Sequence, residues 1–359
     1  MSGRRMVALL GRPDAPTDAL EDYCRYLAGG LREHGIKLAI ERVPWAAEGW
    51  AAALRGLRDR AKAWKDQWVV LQYTALGWSG RGFPQRFLRV VRILREAGAR
   101  VGVTFHDVEP YGGARLIDRL RRRSQLSTMR KALRIADAGI STVALNAVSW
   151  LQNAPKNAHF IPIGANLPMG CTGPQNANEI ARCVVVYGIT GGDAGKRECH
   201  EISAAMSFAA GKLGNLRLHV FGRNALEAEP MLREGLRNAD VELRVEGILP
   251  AEQVVRALCE GAAMLFVREP ISTRRGSALA GIACGLPVVA YRGPQTAAPL
   301  DEAGVALVSK DNPAELGETL ARVLSDAAYR ERLAEQSRSA YAKYFAWSAV
   351  AQRYAEILK

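Results

Sequence analysis

The stretch 262–291, AAMLFVREPISTRRGSALAGIACGLPVVAY, decides the fold. Residues 262–267 form a short apolar run of strand length, 268–277 carry the Pro, Gly and Arg signals of a loop, 278–284 fill a helix, and 287–291 form a second β-rich run. Strands separated by a helix pair in parallel, because a parallel partner needs a long crossover whereas a hairpin needs only a few residues.

The same alternation extends outward to both ends. Runs at 183–189, 216–222, 241–247 and 304–308 read as further strands of this sheet, with helical patterns such as 197–213 and 313–324 between them. Towards the N-terminus a separate series appears, at 6–11, 37–43, 68–74, 100–106, 139–143 and 159–164. The segment 166–181, rich in Pro, Gly and Asn, reads as the connection between two α/β domains. The expected organisation is an N-terminal Rossmann-like domain over 1–165, a connection over 166–181, a C-terminal Rossmann-like domain over 182–342, and a last helix over 343–359 that returns to the first domain. No sequence repeat relates the halves, so a solenoid is not supported and a cleft between two parallel-sheet domains is expected.

Composition agrees with this class. At 359 residues the chain is long for one core and comfortable for two. An apolar share of 48% and a charged share of 24% indicate neither disorder nor a fibre. No apolar run reaches the roughly 20 residues of a membrane span, and the opening MSGRRMVALLG breaks at Gly11-Arg12-Pro13, too early for a signal-peptide core. The expectation is a cytoplasmic location, with the inner face of the membrane as an open alternative. Six scattered cysteines without a C-x-x-C pair read as reduced thiols. The formal charge of +13 favours an anionic partner: a nucleotide diphosphate, an anionic membrane or nucleic acid.

In open parallel sheets ligands gather beyond the carboxyl ends of the strands, where helix N-termini attract phosphate. Two loops qualify. Thr190-Gly191-Gly192-Asp193-Ala194-Gly195-Lys196-Arg197 ends in two cations at a helix start, suited to a diphosphate. It is not a P-loop, since Thr190 and Arg197 stand where that motif needs Gly and Ser/Thr; a surface turn with solvated cations is the plainer alternative. In the second loop, Gly276 permits close approach of an anion, Ser277 is placed to cap the next helix, and Arg274 and Arg275 put positive charge beside its N-terminus. Plain capping with solvent-facing arginines remains the alternative there.

The segment Gly281-Ile282-Ala283-Cys284-Gly285-Leu286-Pro287-Val288-Val289-Ala290 resembles the EAMACGxPVVA segment of retaining glycosyltransferases of the two-Rossmann-domain type, GT-B, family 4-like, group 1. LRLHVFGRN, VELRVEGILPAEQVVRAL and GVALVSKDNPAELGETLARVLSD follow the family's order, as do VTFHD at 103–107, FIPIGANLP at 160–168 and the terminal FAWSAVAQRYAEIL. The resemblance implies transfer of a sugar from a nucleotide-diphosphate sugar, with retention, to a glycan or lipid-linked acceptor, without cofactor or obligatory metal. It places the donor on Gly191, Gly192, Lys196, Arg223, Glu269, Ser272, Arg274, Arg275, Gly276 and Ser277. It places His106, with Asp107, at the reacting sugar and Arg12, Asp14 and Thr17 on the acceptor side. The sequence departs from the family where a Glu-x7-Glu pair falls on Ser272 and Ala280, so a ribose-binding carboxylate is missing at Ala280; Glu269 is near enough to replace one donor-sugar contact. That departure, with the absent double glycine of the first loop, keeps a second reading open, a catalytically silent nucleotide-sugar-binding protein. His106 as a structural hydrogen-bonding residue is also open.

Residues 115–134, RLIDRLRRRSQLSTMRKALR, combine arginines with Leu116, Leu120, Leu126, Met129 and Leu133 at amphipathic spacing. Contact with anionic lipid and an ordinary buried face both explain these letters; Arg81, Arg86, Arg89, Arg92 and Arg95 add to an interacting face. Nucleic acid is not expected as a partner, because neither a zinc-finger pattern nor an aromatic RNA-recognition motif is present.

Overall fold

The computed structural model describes residues 4–113, 115–168, 182–310 and 312–359. The chain divides into two compact units, Met1–Gly164 with Trp347–Lys359, and Ala165–Ala346. Cys171 and residues 169–181 of the expected connection lie outside the described residues.

Unit 1 holds one parallel sheet of six strands, β1 (Arg4–Leu10), β2 (Ile36–Arg42), β3 (Trp68–Tyr73), β4 (Arg100–Phe105), β5 (Ala138–Ser141) and β6 (Ala158–Phe160), in the order β2-β1-β3-β4-β5-β6. Its helices are α1 (Ala19–Glu33), α2 (Trp45–Ala61), α3 (Phe87–Glu96) and α4 (Leu116–Ile135). Strand period two divides the core between the faces. Val7, Leu9, Val69 and Leu71 pack with Leu54, Leu57, Val90 and Leu94 of α2 and α3. Met6, Ala8, Leu10, Trp68 and Val70 face α1 and the final helix. The sequence of α3 alternates by helical turn: Phe87, Leu88, Val90, Val91, Ile93 and Leu94 are buried while Arg89, Arg92 and Arg95 are exposed.

Unit 2 repeats the architecture with β7 (Cys183–Tyr187), β8 (Leu216–Phe221), β9 (Val241–Val245), β10 (Ala263–Phe266), β11 (Val288–Arg292) and β12 (Val305–Ser309), ordered β12-β11-β10-β7-β8-β9. Its helices are α5 (Gly192–Leu213), α6 (Ala225–Leu236), α7 (Ala251–Cys259), α8 (Gly276–Ala283), α9 (Pro313–Ser325) and α10 (Ala327–Ala340). The start of α9 is fixed by Pro313 in its first turn and by Asn312, whose side chain accepts from Glu315 N–H at 3.2 Å. The last helix, α11 (Trp347–Ile357), belongs to unit 1, where Val350, Ala351 and Tyr354 cover Tyr23, Cys24 and Leu27 of α1. Gly30 is required at this contact, since a Cβ there would press on the Trp347 carbonyl.

Two sequence readings are corrected. Cys24, Cys183, Cys199 and Cys284 are free, but Cys259 is disulfide-bonded, a pairing that leaves no C-x-x-C spacing to read. α5 starts five residues earlier than its apolar pattern, at Gly192, so most of the small-residue loop is the first turn of a helix. Among the described residues, no helix is long and apolar enough to cross a membrane.

Candidate functional site

In unit 2 the strand order reverses between β7 and β10, so the loops after these strands diverge and leave a crevice at their carboxyl ends. The loop after β7 turns through Gly188, whose φ of 79° lies in the left-handed region glycine favours. Gly195 lets the first turn of α5 approach the Thr190 carbonyl, which a Cβ would strike. The Thr190 N–H donates to the buried Glu198 carboxylate at 2.8 Å, and the Asn224 amide donates to the Ile189 carbonyl at 2.9 Å. Arg223 contributes its backbone carbonyl, which accepts from Ile189 N–H at 2.9 Å, while its side chain is exposed. Lys196 does not lie in a loop: it is 67% exposed on α5 and pairs with Asp193 at 3.0 Å. Gly191 and Gly192 form the exposed entry to α5.

The loop after β10 carries the denser charge. Arg268 donates to Thr190 Oγ1 at 3.4 Å and so spans the two loops at the strand reversal. Glu269 pairs with Arg275 and, at 3.6 Å, with Arg274, whose Nε also donates to the Gln295 side chain at 3.1 Å. Two guanidiniums therefore share one carboxylate, with a third, Arg268, adding like charge beside them. Burial, reinforced by Arg274 and Arg268, pushes the Arg275 pKa down to about 10, and its Nε is buried without a partner. The group stays charged at neutral pH yet is under-compensated, the state in which an added anion is most favoured. Arg275 is also the N-cap residue of α8, with no side-chain cap. That corrects the capping role expected of Ser277, which lies inside the first turn behind the exposed Gly276; the uncapped first amides add to the positive field. Ser272 is buried with its hydroxyl unpartnered. Ala280 is 2% exposed in the packed face of α8, so the missing carboxylate is replaced there by core.

A cavity of about 130 Å³ adjoins the cluster, lined by Arg197, Arg268 and Lys310 together with Glu198, Glu201 and Glu269. Burial raises the Glu201 carboxyl above the usual carboxylate range. Arg268 is not among the donor residues the sequence pattern points to; its one signal there is its place as the first residue beyond the apolar run of β10.

In unit 1 the reversal lies between β1 and β3. Their loops are tied together: Arg12 N–H donates to the Gly77 carbonyl at 2.8 Å, and a Cβ on Gly11 would run into that same carbonyl. Asp18 caps α1 through Leu20 and Glu21 N–H, and with Glu21 it holds Arg42 at 2.6 Å. Arg12, Asp14 and Thr17 are exposed on this anchored loop.

His106 follows β4. Its Nε2 lies 2.8 Å from Gln72 Oε1, its N–H donates to the Tyr73 carbonyl at 3.0 Å, and the Tyr23 ring meets it edge-on with centroids 4.9 Å apart. The residue as a whole is partly exposed, yet burial of the imidazole lowers its pKa to about 3, so it is neutral at physiological pH. Asp107 is engaged structurally, accepting from Ala75 N–H at 2.7 Å and the Tyr111 hydroxyl at 3.0 Å. Glu109 likewise binds Ser149 N–H at 2.7 Å.

On α4 the buried face is confined to Gln125, Thr128, Met129, Ala132 and Leu133. Leu116 and Leu120, for which the sequence leaves lipid contact and a buried face both open, are 75% and 54% exposed, and Ile117 is exposed beside them. Arg115, Arg119, Arg122 and Arg123 surround them in solvent, whereas Arg121 turns inward to Asp118 at 2.9 Å and the Arg81 carbonyl at 3.0 Å.

No protein-family model and no curated protein matches the chain. Solved structures do. Sucrose-phosphate synthase from Thermosynechococcus elongatus superposes with a TM-score of 0.70 at 18% identity, over 99% of this chain and 98% of that one. HepE from Anabaena, solved with UDP and glucose, gives 0.64 at 13% identity over 99% of both chains. WaaG, a glycosyltransferase involved in lipopolysaccharide biosynthesis, gives 0.64 at 14% identity over 99% of both. At these identities the likeness establishes the fold, two six-stranded parallel Rossmann-like units of the GT-B type.

Proposed function

We propose that this chain is a glycosyltransferase that binds a nucleotide-diphosphate sugar on unit 2 and transfers the sugar, with retention, to a glycan or lipid-linked acceptor handled by unit 1. The observation that carries the reading is the arginine cluster at the β7/β10 reversal: Arg274 and the half-buried Arg275 share Glu269 at an uncapped helix N-terminus, and Arg268 reaches Thr190 beside them. Departure of a nucleoside diphosphate places negative charge on the leaving oxygens, and fixed cations with helix amides stabilise it without reorganising. Gly191, Gly192, Arg223, Ser272, Gly276 and Ser277 are assigned to the same donor site, and Lys196 adds a screened charge to it. His106, neutral, offers a hydrogen bond to a sugar hydroxyl, with Asp107 fixing the loop behind it. Arg12, Asp14 and Thr17 are assigned to the acceptor.

UDP, present in the HepE structures, is the first probe. A thermal-shift screen of nucleoside diphosphates and their sugars tests the reading: at least one is expected to stabilise the protein, and stabilisation by none refutes donor binding. Ala280 supports a second reading, binding without turnover, which predicts the same shift and no release of nucleoside diphosphate.

The exposed Leu116, Ile117 and Leu120 amid four solvent-facing arginines support a peripheral attachment of α4 to anionic lipid, on the cytoplasmic face of the membrane.

A further inference from the structure

We infer that Gln72 sets the tautomer of His106, holding the ring proton on Nε2 and leaving Nδ1 as a bare hydrogen-bond acceptor. The inference rests on the reading of His106 as a residue that meets substrate and names the side chain that positions it.

Gln72 stands on β3 in register with Thr104 of β4, two residues before His106, and its side chain is 1% exposed. Period two puts Gln72, Thr104 and His106 on one side of the sheet, the side covered by Tyr23 of α1 and Tyr354 of α11. The Thr104 hydroxyl bonds Tyr354 at 2.8 Å, and Tyr354 bonds Tyr23 at 3.0 Å, which fixes the ring standing edge-on to His106. The backbone of Gln72 is held as well, its carbonyl accepting from Trp78 Nε1 at 2.8 Å.

The amide has one sensible orientation. Its Nε2 donates to the Val70 carbonyl at 3.4 Å, and its Oε1 faces His106 Nε2 at 2.8 Å. A flipped amide would set its oxygen against the Val70 carbonyl, two acceptors without a proton between them. With the oxygen facing the ring, His106 Nε2 must be the donor. A neutral imidazole carries one ring proton, so Nδ1 has none. Among the described residues Nδ1 has no protein partner, and His106 is partly exposed just beyond the end of β4. A sugar hydroxyl arriving there meets an acceptor, never an N–H. The opposite tautomer would present a donor, and the same hydroxyl would have to turn its own proton elsewhere. Gln72 is therefore a positioning residue that acts through His106.

The test is long-range 15N–1H correlation NMR on histidine-labelled protein, with the His106 signals assigned by their loss in His106→Asn among the five histidines. The wild type is expected to show the Nε2–H tautomer alone. Gln72→Met, close in size, is expected to give a mixture. Gln72→Glu puts a carboxylate on the same nitrogen and is expected to raise the His106 titration by roughly 1–3 pH units. An Nδ1–H tautomer in the wild type, or an unchanged tautomer in folded Gln72→Met together with an unmoved titration in Gln72→Glu, overturns the inference. A tautomer that changes in Gln72→Met while nucleoside diphosphate release stays at the wild-type rate upholds Gln72 as its determinant and instead removes His106 from the proposed reaction.

Discussion

Replacing Arg275 by Met removes a charge that the fold holds at a cost. The guanidinium is desolvated, has two like charges as neighbours and keeps an unpartnered Nε, while Glu269 retains Arg274 at 3.6 Å after the change. No carboxylate is stranded, so the large penalty of breaking a buried pair does not apply. Stability is expected to stay within about 1 kcal/mol of the wild type or to rise, as at other sites where function opposes stability. Ligand binding should move the other way. A charge-assisted hydrogen bond to phosphate contributes about 1.5–3 kcal/mol, which at ~1.4 kcal/mol per decade is a loss of roughly 10- to 150-fold in UDP affinity. Uridine, which lacks the phosphates, should lose little. Lys196→Ala serves as the internal comparison: exposed and paired with Asp193, it should cost no more than about 1 kcal/mol. Calorimetric titration with UDP and uridine, alongside chemical denaturation, reads all of these quantities. A stability loss of several kcal/mol with UDP affinity intact would show that Arg275 is structural and refute the reasoning.

Other consequences follow from the same geometry. His106→Ala should depress turnover while donor affinity stays within a few-fold, because its contact strengthens as charge develops in the reaction; unchanged turnover returns it to a structural role. Because the folded His106 pKa of about 3 lies below the ordinary value of 6.5, the unfolded state takes up the proton first as pH falls. Stability should be complete above roughly pH 6.5 and decline by about 1.4 kcal/mol per pH unit below it; a His106→Gln variant that loses as much between pH 7 and 5 contradicts this. Vesicles with anionic lipid should bind the protein and release it as salt rises, and Arg119, Arg122 and Arg123 changed together to Glu should abolish binding, since each cation contributes about 1 kcal/mol. Arg121 is left in place because it holds Asp118 and Arg81. Undiminished sedimentation of the triple variant counts against the lipid-facing reading of α4.

The twelve strands of the described residues were legible: central ones such as β3 and β10 are apolar runs that need no alternation because both faces are buried, whereas the edge strands β2 and β9 interleave apolar and charged residues. The site was only partly legible. Gly192 to Lys196 look like a loop, yet glycine and aspartate are tolerated in a first helical turn, so Lys196 stands on α5, paired with Asp193. Ser277 had the chemistry of a cap, but the chain enters α8 through Arg275, a placement that depends on the turn made by the buried Ser272 and Thr273. Leu116 and Leu120 had the spacing of a buried face; periodicity cannot say where along a helix the protein beneath it stops. Gln72 was invisible because a lone Gln in an apolar strand acquires meaning only from its neighbour on β4.

The central claim is tested most directly by measuring the nucleoside diphosphate released when the chain is incubated with UDP-, GDP-, ADP- and dTDP-linked sugars, with and without membrane-extracted acceptors. Release from at least one donor, proportional to protein and lost in a folded Arg268→Ala/Arg275→Ala variant, is the predicted result. Absence of release above background from every donor, with the wild-type protein folded throughout, contradicts the assignment of glycosyl transfer.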